Sequence, residues 1–126
     1  MDFDTRKNLL VLAPAKLLSV NEERRLHWSK RADAVSLWRF AAKVDAKNAR
    51  LPRFKSVFIS ASIHQAKGTL ADAGNYYPVV KACIDGLVDA GVIENDDPSI
   101  VHAVNQLASI RADRDAVLLY LSGEAA

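Results

Sequence analysis

Cysteine and long apolar segments are scarce in this chain. Cys83 is the only cysteine among 126 residues, so no disulfide can form within the chain. We therefore expect a reducing, intracellular setting, in which the protein is cytoplasmic and Cys83 is a packing residue. No stretch approaches the ~18 apolar residues of a membrane-spanning helix, so we expect no membrane partner.

Histidine pairs with metal-binding spacing, internal repeats and low-complexity segments are also lacking. We interpret His27, His64 and His102 as structural or surface residues. A chain of this length, half of it hydrophobic, can form one compact domain with a core and is too short for two. We expect a single domain over residues 1–126.

The net charge of +2 conceals two halves of opposite charge. Residues 1–67 carry 14 Lys and Arg against 6 Asp and Glu, whereas residues 68–126 carry 3 against 9. A metal-dependent enzyme that acts on nucleic acid needs cations for phosphates and carboxylates for metal. The same division would let the two halves attract each other on one surface, so charge alone leaves both interpretations open.

Hydrophobic periodicity predicts alternating strands and helices. An alternating pattern favours strands, and a spacing of three to four favours helices. The predicted strands are 8–13, 55–66, 99–110 and 116–121, and the predicted helices are 32–48 and 76–90. This order predicts a small α/β (α+β) protein with a mixed sheet and two main helices packed on it. We expect a mobile loop at 68–71 and a frayed tail at 123–126.

Acidic residues lie on both sides of the second helix. Asn75 is a good N-cap, Pro78 suits the first turn, and Gly91 can end the helix. Fifteen residues would separate the ends by ~22 Å, so one metal ion could contact Asp72 and Asp96 only if the chain folds back or a second subunit contributes. Carboxylates are ligands for hard cations such as Mg²⁺, which can support phosphodiester hydrolysis.

The same stretch resembles the RusA family of Holliday-junction endonucleases from phages and prophages. The resemblance is carried by Asp72-Ala73-Gly74-Asn75, Lys81, Asp85-Gly86-Leu87-Val88-Asp89-Ala90-Gly91-Val92 and Asn95-Asp96-Asp97. It extends upstream to Ser19-Val20-Asn21, Arg24 to Trp28 and Trp38-Arg39, and covers most of residues 19–100. Asn75-Tyr76-Tyr77-Pro78 resembles an actinobacterial branch of that family. The resemblance implies a bacterial or phage-infected host cell.

This resemblance implies metal ligands and a catalytic lysine. The first and third metal-binding aspartates of the family fall on Asp72 and Asp96, with Asp97 as the adjacent alternative. The second falls on Gly74, which has no carboxylate, and Asp85 could substitute for it. Lys81 matches the family's lysine, with two extra residues before it. The implied cofactor is Mg²⁺, with Mn²⁺ as an alternative.

Ordinary structural interpretations of the same residues remain open. Asp72 and Asn75 could cap a helix, and Asp96 with Asp97 could form a turn before Pro98. Lys81 and Asp85 could be a surface ion pair at i, i+4.

Basic residues of the first half form two candidate DNA-binding groups. In the first, an aromatic side chain lies among cations, which suits stacking on an exposed base, although Trp28 could instead be core. In the second, three cations recur at i+4 on one helix and could follow a duplex backbone or form a solvated face. The first group is Arg24, Arg25, His27, Trp28, Lys30 and Arg31, and the second is Arg39, Lys43 and Lys47.

We expect a homodimeric, Mg²⁺-dependent endonuclease that cuts branched DNA, with Asp72, Asp96 and Lys81 as catalytic residues. A two-fold dimer, with or without intertwined chains, would suit the symmetry of a four-way junction. We expect no small-molecule substrate. One alternative is a branched-DNA-binding protein of the same fold that has lost catalysis, which Gly74 favours. A more distant alternative is a protein–protein adaptor that uses the second helix as a dimer face.

Overall fold

The computed structural model describes residues 8–126, which form a mixed α+β fold with five strands and three helices. The first seven residues of the expected domain lie outside the described residues. The strands are β1 (Leu9–Leu12), β2 (Phe54–Gln65), β3 (Val101–Gln106), β4 (Ile110–Arg111) and β5 (Ala116–Ala125). The helices are α1 (Val20–Arg25), α2 (Trp28–Asn48) and α3 (Tyr77–Asp89). No helix of residues 8–126 is long and apolar enough to cross a membrane.

The five strands form one mixed sheet in the order β1-β5-β2-β3, and β4 pairs with the end of β2. β5 is antiparallel to β1 and β2, whereas β3 and β4 are parallel to β2. The expected mixed sheet is confirmed. The expected frayed tail is wrong, because Glu124 and Ala125 pair with Ser56 and Phe54 on β2 and this pairing holds the end of the chain in the sheet.

One face of the sheet is buried under the helices. Val57, Ile59, Ala61 and Ile63 alternate along β2 and join the same core cluster as Trp38 of α2. The other face is open, because Phe58 and other apolar side chains there remain about half exposed. This alternation is the usual pattern of a sheet with one buried and one solvated face.

Gly86 lets α3 approach α2 closely. A Cβ atom at this position would lie 2.3 Å from the carbonyl oxygen of Arg39 and 2.7 Å from the Cβ of Ala42. Real Cβ atoms essentially never approach a neighbour so closely. Cys83 lies in the same packed region and is a packing residue, as predicted, and burial raises the pKa of its thiol to about 12.

The N-termini of α2 and α3 differ from the prediction. α2 begins at Trp28 instead of residue 32, because His27 accepts a hydrogen bond from the Ser29 amide and caps the first turn. α3 has no side-chain N-cap. The carbonyl oxygen of Asn75 instead accepts a hydrogen bond from the Val20 amide, which joins the loop before α3 to α1.

Candidate active site

The chain folds back along α3 after the helix ends. Val92 donates its amide proton to the carbonyl of Leu87, and the side chains of Val92 and Ile93 are buried. Burial of these two apolar residues turns the chain toward the core rather than away from the helix. The return brings Asp96 to Lys81, whose Nζ lies 2.5 Å from Asp96 Oδ2.

Lys81 donates to two carboxylates at once. Its Nζ lies 2.7 Å from Oδ1 of Asp85, which is one helical turn away, and is also within hydrogen-bond distance of Asp96. The hydrogen bonds to Asp85 and Asp96 raise the pKa of Lys81, and the bond from Lys81 lowers the pKa of Asp96. The three side chains are half-buried or exposed, so solvent can reach them.

Asp97 faces a different partner from Asp96. Its Oδ1 accepts hydrogen bonds from both the amide and the hydroxyl of Ser99. The bond from the Ser99 hydroxyl is the main reason that the pKa of Asp97 is lowered. The geometry is that of an Asx-type turn, in which the carboxylate satisfies nearby backbone donors. Of the two adjacent candidates, only Asp96 therefore contacts Lys81.

Asp72 lies in the loop between β2 and α3. Its side chain is exposed and lines a cavity of about 400 Å³ with Ser19, Glu22, Asn75 and Tyr76. α1 is fixed beside this cavity by a capping box, in which the Ser19 hydroxyl accepts from the Glu22 amide and the Glu22 carboxylate accepts from the Ser19 amide.

Gln65 holds the loop that leads to Asp72. Its buried side chain donates from Nε2 to the carbonyls of Lys67 at 2.7 Å and Thr69 at 2.8 Å, and its Oε1 accepts from the Ala71 amide. Arg111 donates to the Gly68 carbonyl at 2.6 Å. The sequence prediction missed Gln65 and described this loop as mobile, whereas these hydrogen bonds cross-link it.

Gly74 occupies the position at which the RusA-like pattern has a second aspartate. Its φ is +84°, a backbone conformation that side-chain-bearing L residues rarely adopt, and no heavy atom lies within 4 Å of a Cβ built there. The missing carboxylate is therefore accompanied by a local backbone conformation that suits glycine. An aspartate could be accommodated in the space but would be strained in the backbone.

The carboxylates near α3 fit part of a magnesium site. Among residues 8–126, no group of three or more His, Cys, Asp or Glu side chains is placed to hold a metal ion. Two of the predicted ligands, Asp85 and Asp96, nevertheless direct oxygens at one cation, the Lys81 ammonium. Mg²⁺ commonly uses only one or two carboxylates and completes its coordination with water and substrate phosphate. The oxygen donors of Asp85 and Asp96 are therefore of the kind that Mg²⁺ binds, whereas Asp72 lies in the loop before α3 and is not grouped with them among residues 8–126.

The first basic group is exposed around the junction of α1 and α2. Arg24 and Arg25 lie in the last turn of α1, and Lys30 is exposed in the first turn of α2. Arg31 is half-buried, and the exposed His27 ring lies 5.6 Å from that of Trp28. Trp28 is 67% exposed, so its ring is available for stacking and is not core.

The second basic group is less available than its sequence spacing indicates. Arg39 forms a two-point ion pair with Asp89, at 2.6 Å from Nε and 2.9 Å from Nη2, which links α2 to α3. The hydrogen bond between them raises the pKa of Arg39 and lowers the pKa of Asp89, and the charge of Lys43 lowers the pKa of Asp89 further. Lys47 is exposed. Trp38, predicted to be core, is fully buried.

Comparison with known proteins finds no family model that matches this chain and no curated protein that is similar to it. The functional interpretation therefore depends on the residues and their geometry.

Proposed function

We propose that this chain is a Mg²⁺-dependent endodeoxyribonuclease that cuts branched DNA, with a four-way junction as its substrate, and that it is a member of the RusA-like family. The observation that carries the proposal is the meeting of Lys81, Asp85 and Asp96. The RusA-like pattern contains these residues at positions up to fifteen apart, and the return of the chain along α3 brings their side chains within hydrogen-bond distance. Such convergence of motif residues is expected of a site.

In the proposed mechanism, Asp96 and Asp85 would hold the metal in one chain, and Asp85 would take the place of the ligand missing at Gly74. Asp72 would complete the site from a second subunit or after its loop moves, because residues 8–126 bring no three acidic side chains together. Asp97 is the less favoured ligand because its carboxylate is engaged by Ser99. The chemistry that bound Mg²⁺ supplies is activation of a water molecule and stabilisation of charge on the phosphate. Hydrolysis would join the oxygen of a water molecule to phosphorus, break the ester bond to the leaving sugar oxygen and pass a proton of that water to the leaving oxygen. Lys81 stabilises negative charge on the phosphate or the leaving oxygen.

The exposed cations of α1 and α2 would hold the DNA. Arg24, Arg25 and Lys30 contact phosphates in this proposal, and the exposed Trp28 stacks on a base near the branch point. A homodimer would present two sites to the matching strands of the junction. The setting that we propose is the cytoplasm of a bacterial or phage-infected cell.

The test is incubation of the purified protein with a labelled four-way junction and a linear duplex of matched sequence. Each substrate is assayed with Mg²⁺, with Mn²⁺ and with EDTA, and binding and cleavage are resolved on separate gels. We expect paired nicks in the junction alone, only with metal. Cleavage of both substrates at equal rates would refute the selectivity for branched DNA.

A second candidate function is branched-DNA binding without cleavage. Gly74 favours it, because the position carries no carboxylate and has a backbone conformation that disfavours one. This alternative requires tight junction binding that is the same with Mg²⁺ and EDTA, and no cleavage with either metal.

A further inference from the structure

A cleft of about 670 Å³ lies next to the cavity that contains Asp72. It opens between the segment that follows β1, the end of β2 and the turn before β5. Glu22 and Tyr76 line both cavities, so the two adjoin. The volume is within the ~300–1,000 Å³ of small-ligand sites and is too small for a duplex, which indicates a ligand of about nucleotide size. We call this space the Tyr76 cleft.

Of the three cations that line the Tyr76 cleft, two have no carboxylate partner among the described residues. Within residues 8–126, neither Lys67 nor Arg114 makes an ion pair. The carboxylates beside them are engaged, because Asp115 accepts from the Ala66 amide at 2.9 Å and Glu22 contacts both Lys16 and the α1 cap. Three cations, Lys16, Lys67 and Arg114, line the cleft together with these two carboxylates, so a net charge of +1 remains and favours phosphate.

Arg114 is one of the few cations in the acidic half of the chain. Residues 68–126 contain only three Lys and Arg against nine Asp and Glu. Two of the three are Arg111 and Arg114, and Arg111 donates to the carbonyls of Gln65 and Gly68 beside the cleft. The acidic half thus concentrates most of its positive charge at the place where Lys67 is also located.

Apolar side chains form part of the remaining wall of the Tyr76 cleft. Pro14 and Leu17 line it, and the Tyr76 side chain is half-buried between this cleft and the Asp72 cavity. An aromatic ring beside cations is the usual arrangement for binding single-stranded nucleic acid, because every base can stack on the ring while the cations hold the backbone.

Lys67 and Asp72 belong to the same cross-linked loop. Gln65 bonds the backbone at Lys67, Thr69 and Ala71, so the loop holds Lys67 on the Tyr76 cleft and Asp72 on the adjoining cavity in a fixed relation. A strand whose phosphate is bound by Lys67 would continue past Tyr76 toward Asp72. Preorganisation of this kind reduces the entropy lost when a ligand binds.

We propose that the Tyr76 cleft binds one unpaired nucleotide of a DNA strand next to the phosphodiester at Asp72, with Lys67 and Arg114 on the phosphates and the base against Tyr76. This inference rests on the proposed function. It adds a strand-binding subsite where Lys67 of the basic half meets Arg114 of the acidic half, separate from the cations of α1 and α2. A branched junction supplies such a nucleotide where its strands exchange.

The test measures binding of a fluorescein-labelled oligothymidylate of eight nucleotides by anisotropy, in EDTA and over a range of salt concentrations. The double variant Lys67→Ala/Arg114→Ala is compared with Arg53→Ala/Lys55→Ala, which removes two cations at the opposite end of β2. We expect the first variant to bind at least about 10-fold more weakly. The salt slope, which is the slope of the logarithm of the binding constant against the logarithm of the salt concentration, should fall in magnitude by about 1.4 for two lost phosphate contacts. The second variant should stay within about twofold of the wild type.

Tyr76 variants test the stacking contact separately. Tyr76→Leu should weaken binding at least about fivefold and leave the salt slope unchanged, whereas Tyr76→Phe should bind like the wild type. Circular dichroism checks that each variant is folded. Equal losses in the two double variants, or equally tight binding of thymidine monophosphate and the octamer, would overturn the strand subsite.

Junction cleavage, measured in parallel, keeps the two proposals apart. If the protein cleaves the junction but its octamer binding does not change when Lys67 and Arg114 are replaced, the subsite is refuted and the nuclease proposal stands. Octamer binding through the cleft without junction cleavage in either metal would refute the nuclease and leave the subsite. A wild-type protein that binds neither DNA would refute both.

Discussion

Lys81 and Asp96 are in contact at 2.5 Å, although fifteen positions, including the rest of α3, separate them in the sequence. The contact exists because the buried pair Val92 and Ile93 turns the chain back along α3. Asp97, the next residue, points instead to Ser99. Two adjacent aspartates with the same charge therefore have different surroundings, and only one of them shares a cation with Asp85.

This difference predicts unequal effects of two conservative substitutions. Asp96→Asn should lower the rate of Mg²⁺-dependent junction cleavage at least about 100-fold, because it removes a charged ligand, and should leave junction binding in EDTA unchanged. Asp97→Asn keeps a hydrogen-bond acceptor for Ser99 and should change the rate by less than about tenfold. Equal losses in both variants would contradict the assignment of the ligand to Asp96.

Asp72 should also be required for cleavage but not for binding. Asp72→Asn removes a charge at the cavity between α1 and α3, and we expect loss of cutting with the dissociation constant for the junction within about twofold. Asp113→Asn is the matched control, because Asp113 is exposed in the turn before β5 and has no assigned role. Normal cleavage by Asp72→Asn would show that Asp72 is not a ligand.

Much of the fold could be predicted from local patterns. The alternation along β2 and the apolar face of α3 were sufficient to assign these two elements. α3 ends close to Gly91 as expected, and its last helical residue is Asp89. The short helix α1 was missed, although Ser19 and Glu22 at i and i+3 are a capping-box pattern that could have indicated it. The last residues of β5 pair with β2, a strand distant in sequence, so no local pattern could predict this pairing.

The candidate site could be predicted less completely. The RusA-like pattern indicated Lys81 and Asp96, but their contact depends on a reversal of the chain after α3, which the sequence analysis left open beside a contribution from a second subunit. Arg39 was expected on a free cationic stripe, and its ion pair with Asp89 is a tertiary contact 50 positions away in sequence. In the sequence, Gln65 is one polar residue at the end of a predicted strand, and only the folded loop shows its three hydrogen bonds to the backbone.

Removal of the Lys81 ammonium should separate metal binding from catalysis. Lys81→Met removes the cation that Asp85 and Asp96 share, so we expect Mn²⁺ to bind about two- to fivefold more tightly by calorimetry, in line with a partly exposed ion pair. Cleavage should nevertheless fall at least about 100-fold, because the charge that stabilises the phosphate is gone. Lys81→Arg retains the charge and should bind Mn²⁺ like the wild type. Weaker Mn²⁺ binding by Lys81→Met would contradict a site at these carboxylates.

The ion pair between α2 and α3 should contribute to stability above acidic pH. Arg39 holds the pKa of Asp89 below its ordinary value of 3.8, so the unfolded chain binds this proton more readily than the folded chain. The contribution is therefore fully present above that ordinary value and is lost as the pH falls through the folded pKa. Because both side chains are partly exposed, we expect less than about 1 kcal/mol.

Urea unfolding from about pH 7 to about pH 2.5 measures this contribution. The free energy of unfolding of Asp89→Asn should fall less steeply below about pH 4 than that of the wild type, because the variant has no carboxylate to protonate there. Asp113→Asn serves as the control and should follow the wild type. Parallel curves for Asp89→Asn and the wild type would show that the pair does not stabilise the fold.

Gly86 should be required for the packing of α3 against α2. Alanine is the better helix former by about 1 kcal/mol, so Gly86→Ala would stabilise an isolated helix. In the folded chain the added Cβ would lie 2.3 Å from the Arg39 carbonyl oxygen, and we expect a net loss of about 1–3 kcal/mol in the free energy of unfolding. Adding Ala42→Gly removes the 2.7 Å contact and should weaken the clash, but the contact with the Arg39 carbonyl remains. A Gly86→Ala variant as stable as the wild type in urea would show that the helices can separate at this point without loss of stability. The position of Lys81 and Asp85 on α3 would then not depend on close packing at Gly86.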